Sequence, residues 1–127
     1  MAQPNIHFTV LLVDDDEFFR RAWAALLTRQ GFHVWEADSG DAALAEINRD
    51  HLDLMLTDIE MPDMSGLELA GRPKQLPPNL RVLFMSGSPA HIPQRTHGTA
   101  GDRLLGVLIK PFRLEQLIEL IQEMLPR

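Results

Sequence analysis

The chain has 127 residues, enough for one domain, and 12 Lys and Arg against 18 Asp and Glu give it a formal net charge of −6. This acidic balance argues against general binding to nucleic acid or anionic lipid, because the electrostatic attraction has the wrong sign. The absence of cysteine excludes a disulfide scaffold and a thiolate site, and the lack of a long apolar run or signal peptide predicts a cytoplasmic chain without a membrane span.

The first part of the chain predicts strand, helix, strand and helix in turn. Residues 8–13 are apolar enough for a buried strand, and residues 16–30 follow as a helix that stops at Gly31. Large apolar side chains repeat in this helix at helical spacing: Phe19, Trp23, Leu26 and Leu27. Residues 33–36 predict a second strand, and Ser39 can cap a helix that runs to about residue 49.

The second part continues the alternation less regularly. Residues 52–57 predict a third strand, and Ser65 with Glu68 has the spacing of a capping box that opens a third helix. Gly71 and Pro73 should leave that helix short or kinked. The remaining predicted elements are two strands and an amphipathic helix, at residues 81–85, 106–109 and 113–125. Between the last two strands, residues 88–103 predict a long loop with at most one helical turn, where a fourth helix would fall.

Strands alternating with helices predict an α/β fold with a doubly wound, five-stranded parallel sheet. Such sheets bind ligands at the carboxyl ends of their strands. The polar residues that follow four of the five predicted strands are Asp14, Asp15, Asp16, Asp58, Ser86 and Lys110. Each alone has an ordinary explanation as a turn, cap or surface residue. Their convergence on one edge of the sheet is what predicts a functional site.

The segments LLVDDDE, LTDIEMPDMSGLEL, VLFMSG and IKPF resemble the receiver domain of two-component response regulators. The resemblance covers residues 8–125 and predicts a single receiver domain over residues 1–127. It implies a flavodoxin-like sheet of order 2-1-3-4-5, here with a degenerate fourth helix. It also implies a signalling domain that accepts a phosphoryl group and is not an enzyme, with a cis bond between Lys110 and Pro111.

In that strand order the first and third strands are neighbours about 4.8 Å apart, so Asp14, Asp15 and Asp58 lie close together. Two carboxylates ~4 Å apart repel by roughly 4 kcal/mol at an effective dielectric constant near 20. A shared proton, a bound cation or a nearby lysine could relieve this repulsion. Oxygen ligands with few protein donors favour Mg²⁺ over Ca²⁺, and a carboxylate beside Mg²⁺ can act as a nucleophile toward a phosphoryl group.

The resemblance implies a role for each matching residue. Asp58 matches the phosphoacceptor, Ser86 the switch hydroxyl and Lys110 the lysine that contacts the phosphoryl group. The implied ligands of Mg²⁺ are Asp14, Asp15, Asp58 and the backbone carbonyl of Glu60. The implied partners are a sensor histidine kinase or a histidine phosphotransfer protein, and an unknown downstream protein.

The chain departs from the family pattern where an aromatic side chain normally takes part in switching. That position, three residues before the lysine, is Val107 here. Together with the loop at residues 88–103, this change predicts that the signal leaves by another surface, by ordering of the loop or by phosphoryl relay alone.

Two other functions compete with the receiver hypothesis. A Mg²⁺-dependent phosphatase of the haloacid-dehalogenase type would use Asp14-x-Asp16 as its nucleophile motif, but the motif lacks its Gly-Thr and Asp58 has no role in it. A protein-interaction domain that is never phosphorylated would not need the complete set of Asp14, Asp15, Asp58, Ser86 and Lys110.

Overall fold

Strands and helices alternate in the computed structural model, which describes residues 8–47, 51–72, 74–92 and 103–123. The strands are β1 (Thr9–Val13), β2 (His33–Ala37), β3 (Leu54–Asp58), β4 (Arg81–Ser86) and β5 (Leu104–Ile109). The helices are α1 (Glu17–Arg29), α2 (Gly40–Glu46), α3 (Gly66–Ala70) and α4 (Leu114–Gln122), with a 3₁₀ turn at Pro89–His91.

The described strands form one parallel sheet in the order β2-β1-β3-β4-β5. The register places Val13 beside Thr57, Asp58 beside Met85 and Ser86 beside Ile109. The carboxyl ends of β1, β3, β4 and β5 therefore lie at the same edge. The predicted α/β class and strand order are confirmed.

The sheet has a hydrophobic layer on each face. Alternate side chains of a strand point to opposite faces, so Leu11 and Val13 of β1 pack on the side of α2 and α3. Val10 and Leu12 pack on the other side, against α1 and α4. The strands β1 and β3 are buried along their whole length, which explains why they carry apolar residues on both faces and do not alternate with polar ones.

Local caps account for the helix starts. The side chain of Asp16 accepts a hydrogen bond from Phe19 N at the start of α1, and that of Ser39 accepts one from Ala42 N at the start of α2. Gly31 ends α1 in a left-handed conformation, with φ 100°, which glycine adopts without steric cost. The predicted capping box of Ser65 and Glu68 is present, and α3 is only five residues long, as Gly71 and Pro73 predicted.

The apolar pattern of α1 was partly misleading. Leu26, predicted on the packed face, is 38% exposed, whereas Arg20 is 8% exposed. The buried positions of the helix are residues 20, 24 and 27, because α1 turns a polar side chain toward the end of β1.

Two predicted segments are described in part. Of the predicted loop 88–103, residues 88–92 contain the 3₁₀ turn Pro89–His91, and residues 93–102 lie outside the described residues. The last predicted helix, 113–125, is observed as α4, and residues 124 and 125 lie outside the described part. In the part of the chain that is described, none of the helices combines the length and apolar character that crossing a bilayer requires.

Candidate functional site

The sheet edge brings the predicted site residues together. Asp14 follows β1, Asp58 ends β3, Ser86 ends β4 and Lys110 follows β5. Asp14 and Ser86 are fully buried and Asp58 is 4% exposed. Polar side chains at this depth need charged or hydrogen-bonded partners. Lys110 lies beside Asp14 and Asp58, and Glu60 is the partner of Ser86.

The acidic side chains form a cluster that fits a hard cation. Carboxylate oxygens of Asp14, Asp15 and Asp58 lie within 4.8 Å of one another. Asp15 is exposed, so the cluster is open to solvent on its side, whereas Asp14 and Asp58 are buried. Oxygen donors from a few carboxylates, with room for water, are the donor set that Mg²⁺ prefers.

Lys110 partly neutralises this cluster. Its Nζ lies 2.8 Å from Asp14 Oδ2 and 3.4 Å from Asp58 Oδ2, and 4.2 Å from the centre of the Phe19 ring. Burial by itself lowers the pKa of Lys110, but the hydrogen bond and charge of Asp14, with a smaller effect of Asp58, raise it above its usual value. Lys110 is therefore a fixed cation. The cis bond to Pro111 that the family resemblance implied is present.

Asp58 is held in an environment that disfavours its charge. Burial, followed by the negative charge of Asp14, raises its pKa from 3.8 to about 7, although Lys110 opposes this shift. The charge of Glu60 raises the pKa further. One lysine does not fully compensate the buried carboxylates, so a second cation at the cluster would favour the ionised form of Asp58.

The side chain of Ser86 is hydrogen-bonded to the carboxylate of Glu60. The Ser86 hydroxyl lies 2.5 Å from Glu60 Oε2, and the backbone N–H of Gly87 donates to Glu60 Oε1 at 3.0 Å. The backbone N–H of Glu60 donates to Asp58 Oδ1 at 3.3 Å. Only the backbone carbonyl of Glu60 was assigned a role from the sequence, and that role stays a prediction. The contact made by its side chain has no local sequence signal, because the two residues are 26 positions apart.

Arg20 is a second residue that sequence reasoning missed. Its Nε donates to Glu36 Oε1 and one terminal nitrogen donates to the backbone carbonyl of Asp14, each at 2.9 Å. It thereby ties the residue that follows β1 to strand β2. Its spacing with Ala24 and Leu27 on the buried face of α1 was the available signal.

The doubly wound sheet, with an acidic cluster, a lysine and a serine at the carboxyl ends of its strands, places the chain among flavodoxin-like domains, which bind ligands at that edge. The family model described as "Response regulator receiver domain" matches residues 10–122, and the chain belongs to this family. A receiver domain is a phospho-accepting signalling module rather than an enzyme, so the phosphatase alternative is set aside. Asp16, the second residue of the proposed phosphatase motif, caps α1.

Proteins similar to this chain include separate receivers and parts of larger proteins. Response regulator receiver protein CpdR of Brucella abortus (strain 2308) is 36% identical over 116 residues, which are 91% of this chain and 95% of CpdR. Sensor kinase CckA of the same organism is 34% identical over 122 residues, which are 94% of this chain but 13% of the kinase.

A solved structure confirms the fold. Response regulator protein TrrA of Thermotoga maritima, crystallised in complex with Mg²⁺-BeF, has a TM-score of 0.79 and 25% sequence identity to this chain. The match covers 93% of this chain and 99% of TrrA.

Proposed function

We propose that this chain is a single receiver domain, with its core at residues 8–125, in which Asp58 accepts a phosphoryl group from a histidine. The observation that carries the proposal is the position of Asp58. It is buried at the end of β3, in a carboxylate cluster, with the Lys110 ammonium 3.4 Å away. The donor would be a phosphohistidine of a sensor kinase or of a histidine phosphotransfer protein, in the cytoplasm, where ATP supplies such kinases.

The acidic cluster would hold Mg²⁺. The proposed protein ligands are the carboxylates of Asp14, Asp15 and Asp58 and the backbone carbonyl of Glu60, with Asp15 the most open to solvent. When bound, this ion offsets negative charge on the carboxylates and on the phosphoryl oxygens. The fit rests on the oxygen-only donor set and on the 4.8 Å spread of the three carboxylates.

The chain's own groups prepare the transfer. A carboxylate oxygen of Asp58 attacks phosphorus, an O–P bond forms as the P–N bond of the phosphohistidine breaks, and the electron pair stays on the histidine nitrogen. Lys110 moves or extends from Asp14 toward the new phosphoryl oxygens, and the Ser86 hydroxyl donates to another. Water or a second histidine then takes the phosphoryl group, which returns Asp58 to its carboxylate form.

The output is binding to another protein or onward relay of the phosphoryl group. Val107 is half-buried and packs against the hydrophobic layer on the α2 and α3 side. A small aliphatic side chain there cannot act as a rotating aromatic switch. The similarity to both a receiver protein and a sensor kinase supports a receiver in either setting.

The test is phosphorylation by a small donor. The protein is incubated with Mg²⁺ and acetyl phosphate, and intact mass is measured before and after hydroxylamine, which cleaves acyl phosphates. We expect an adduct of about 80 Da that hydroxylamine removes. Asp58→Asn should form none, whereas Asp41→Asn, which changes an exposed carboxylate at the start of α2, should react like the wild type. An adduct that persists in Asp58→Asn would show that another residue is the acceptor.

A further inference from the structure

The carboxylate of Glu60 accepts hydrogen bonds from two donors of the turn that ends β4. Oε2 lies 2.5 Å from the Ser86 hydroxyl, and Oε1 accepts from the Gly87 N–H at 3.0 Å. Ser86 is fully buried, Glu60 is half-buried and Gly87 is exposed. This bidentate contact lies at the mouth of the site, between the phosphoacceptor loop and the β4 turn.

The backbone beside this contact is tied directly to the phosphoacceptor. Ile59 N donates to Met85 O at 2.8 Å, which continues the pairing of β3 with β4. Glu60 N donates to Asp58 Oδ1 at 3.3 Å. The backbone of Glu60 therefore lies directly beside the carboxylate oxygens that a phosphoryl group on Asp58 would change.

The Ser86 hydroxyl cannot serve Glu60 and a phosphoryl group at once. A serine hydroxyl has one proton and donates to one acceptor at a time. In this structure the short contact is to Glu60, and a further acceptor, the carbonyl oxygen of Ser88, lies 2.8 Å away. A phosphoryl group on Asp58 must therefore compete with the Glu60 carboxylate for the proton of the Ser86 hydroxyl.

Charge decides the direction of that competition. A phosphoryl group carries about −1.5 to −2 at neutral pH and has strong acceptor oxygens. It would repel the Glu60 carboxylate and attract the Ser86 hydroxyl and the Gly87 N–H. No rearrangement at Val107 is needed for this exchange.

We propose that Glu60 is a latch: its carboxylate holds Ser86 and Gly87 in the unphosphorylated state, and the phosphoryl group on Asp58 takes both donors over and releases Glu60. The latch rests on the proposed phosphorylation of Asp58. Its effect passes to the chain beyond β4 because Ser88 N donates to Ser86 Oγ at 3.1 Å, directly before the 3₁₀ turn Pro89–His91.

The test combines two variants of Glu60 with a matched control. Glu60→Ala removes both acceptors, Glu60→Gln keeps one oxygen acceptor without the charge, and Glu119→Gln removes an exposed carboxylate of α4. Each protein is phosphorylated with Mg²⁺ and acetyl phosphate while intact mass is followed. Separately, the backbone amide resonances of Gly87 and Ser88 are compared with those of the phosphorylated wild type.

The latch predicts that Glu60→Ala is phosphorylated roughly two- to thirteenfold faster than the wild type, the range set by one net hydrogen bond. Before phosphorylation, its Gly87 and Ser88 resonances should already lie toward the phosphorylated positions. Glu60→Gln should be intermediate in both measurements, and Glu119→Gln should match the wild type.

Two results would overturn the latch, and they differ in what else they overturn. If every protein forms the Asp58 adduct, but Glu60→Ala reacts at the wild-type rate with unshifted Gly87 and Ser88 resonances, the latch is wrong and the proposed function stands. If the wild type forms no adduct, the proposed function fails and the latch fails with it.

Discussion

The Lys110 ammonium donates a hydrogen bond to Asp14, at 2.8 Å from Oδ2, and this contact joins residues 96 positions apart. The same nitrogen is 3.4 Å from Asp58. The family resemblance assigns Lys110 to the phosphoryl group. In this structure its shorter contact is with Asp14, a proposed metal ligand. A phosphoryl group on Asp58 would place new acceptor oxygens near Lys110, on the side that now faces Asp58.

The titration of Asp58 should make the protein less stable as pH rises. Its pKa is raised from 3.8 to about 7, first by burial and then by Asp14, so the folded state holds its proton more tightly than the unfolded state does. The resulting stability is present below about pH 4 and is lost as pH rises through 7. Without Mg²⁺, urea denaturation should show wild-type stability falling relative to Asp58→Asn by on the order of 3 kcal/mol between pH 4 and 8. Parallel curves for the two proteins would contradict the assigned pKa.

Magnesium should stabilise the wild type through Asp15. Binding to the folded state raises the free energy of unfolding by about 2.7 kcal/mol at one hundred times the dissociation constant. Asp15 is exposed and belongs to the acidic cluster, so Asp15→Asn removes one repelling charge and should not lower the Mg²⁺-free stability. The variant should lose most of the stabilisation by Mg²⁺, measured as the urea midpoint against Mg²⁺ concentration. Glu119→Gln serves as the control, and an unchanged response in Asp15→Asn would remove Asp15 from the ligand set.

Arg20 should be a structural requirement of the site. Arg20→Met leaves the buried carbonyl of Asp14 without the donor that now lies 2.9 Å away, which should cost about 2 kcal/mol. Arg21→Met, at the next and exposed position of α1, is the matched control and should stay within about 0.5 kcal/mol of the wild type. Denaturant midpoints measure both. If both variants lose the same free energy of unfolding, the hydrogen bonds of Arg20 add no stability beyond that of an exposed arginine.

Gly66 should resist substitution although it lies in a helix. A Cβ at this position would overlap the backbone carbonyl of Asp58, whereas helix propensity alone favours alanine over glycine by about 1 kcal/mol. We expect Gly66→Ala to be destabilised by about 1–3 kcal/mol and to be phosphorylated more slowly, because the backbone of Asp58 must shift. Gly106→Ala on β5, whose Cβ would make contacts of 3.6 Å or longer, should be tolerated. A more stable Gly66→Ala would show that the overlap relaxes without cost.

Local interactions made part of the structure predictable. Ser65 and Glu68 satisfy each other's backbone three residues apart, so the capping box needed no tertiary information. The burial of Arg20 was different, because its partners are a carbonyl after β1 and a carboxylate on β2. A helical wheel places Leu26 inside on hydrophobicity alone, whereas the packed helix turns Arg20 inward because hydrogen bonds are available there.

The amino-acid sequence by itself determined the alternation of strands and helices, the caps, and the set of charged residues at the strand ends, because each depends on neighbours within a few positions. Its motifs also identified the family, and with it the strand order. Only the tertiary structure decided which groups meet: Lys110 with Asp14, Glu60 with Ser86, and Arg20 with the carbonyl of Asp14. These contacts depend on parallel pairing between distant segments and on side-chain positions within an ångström, so no local pattern encodes them.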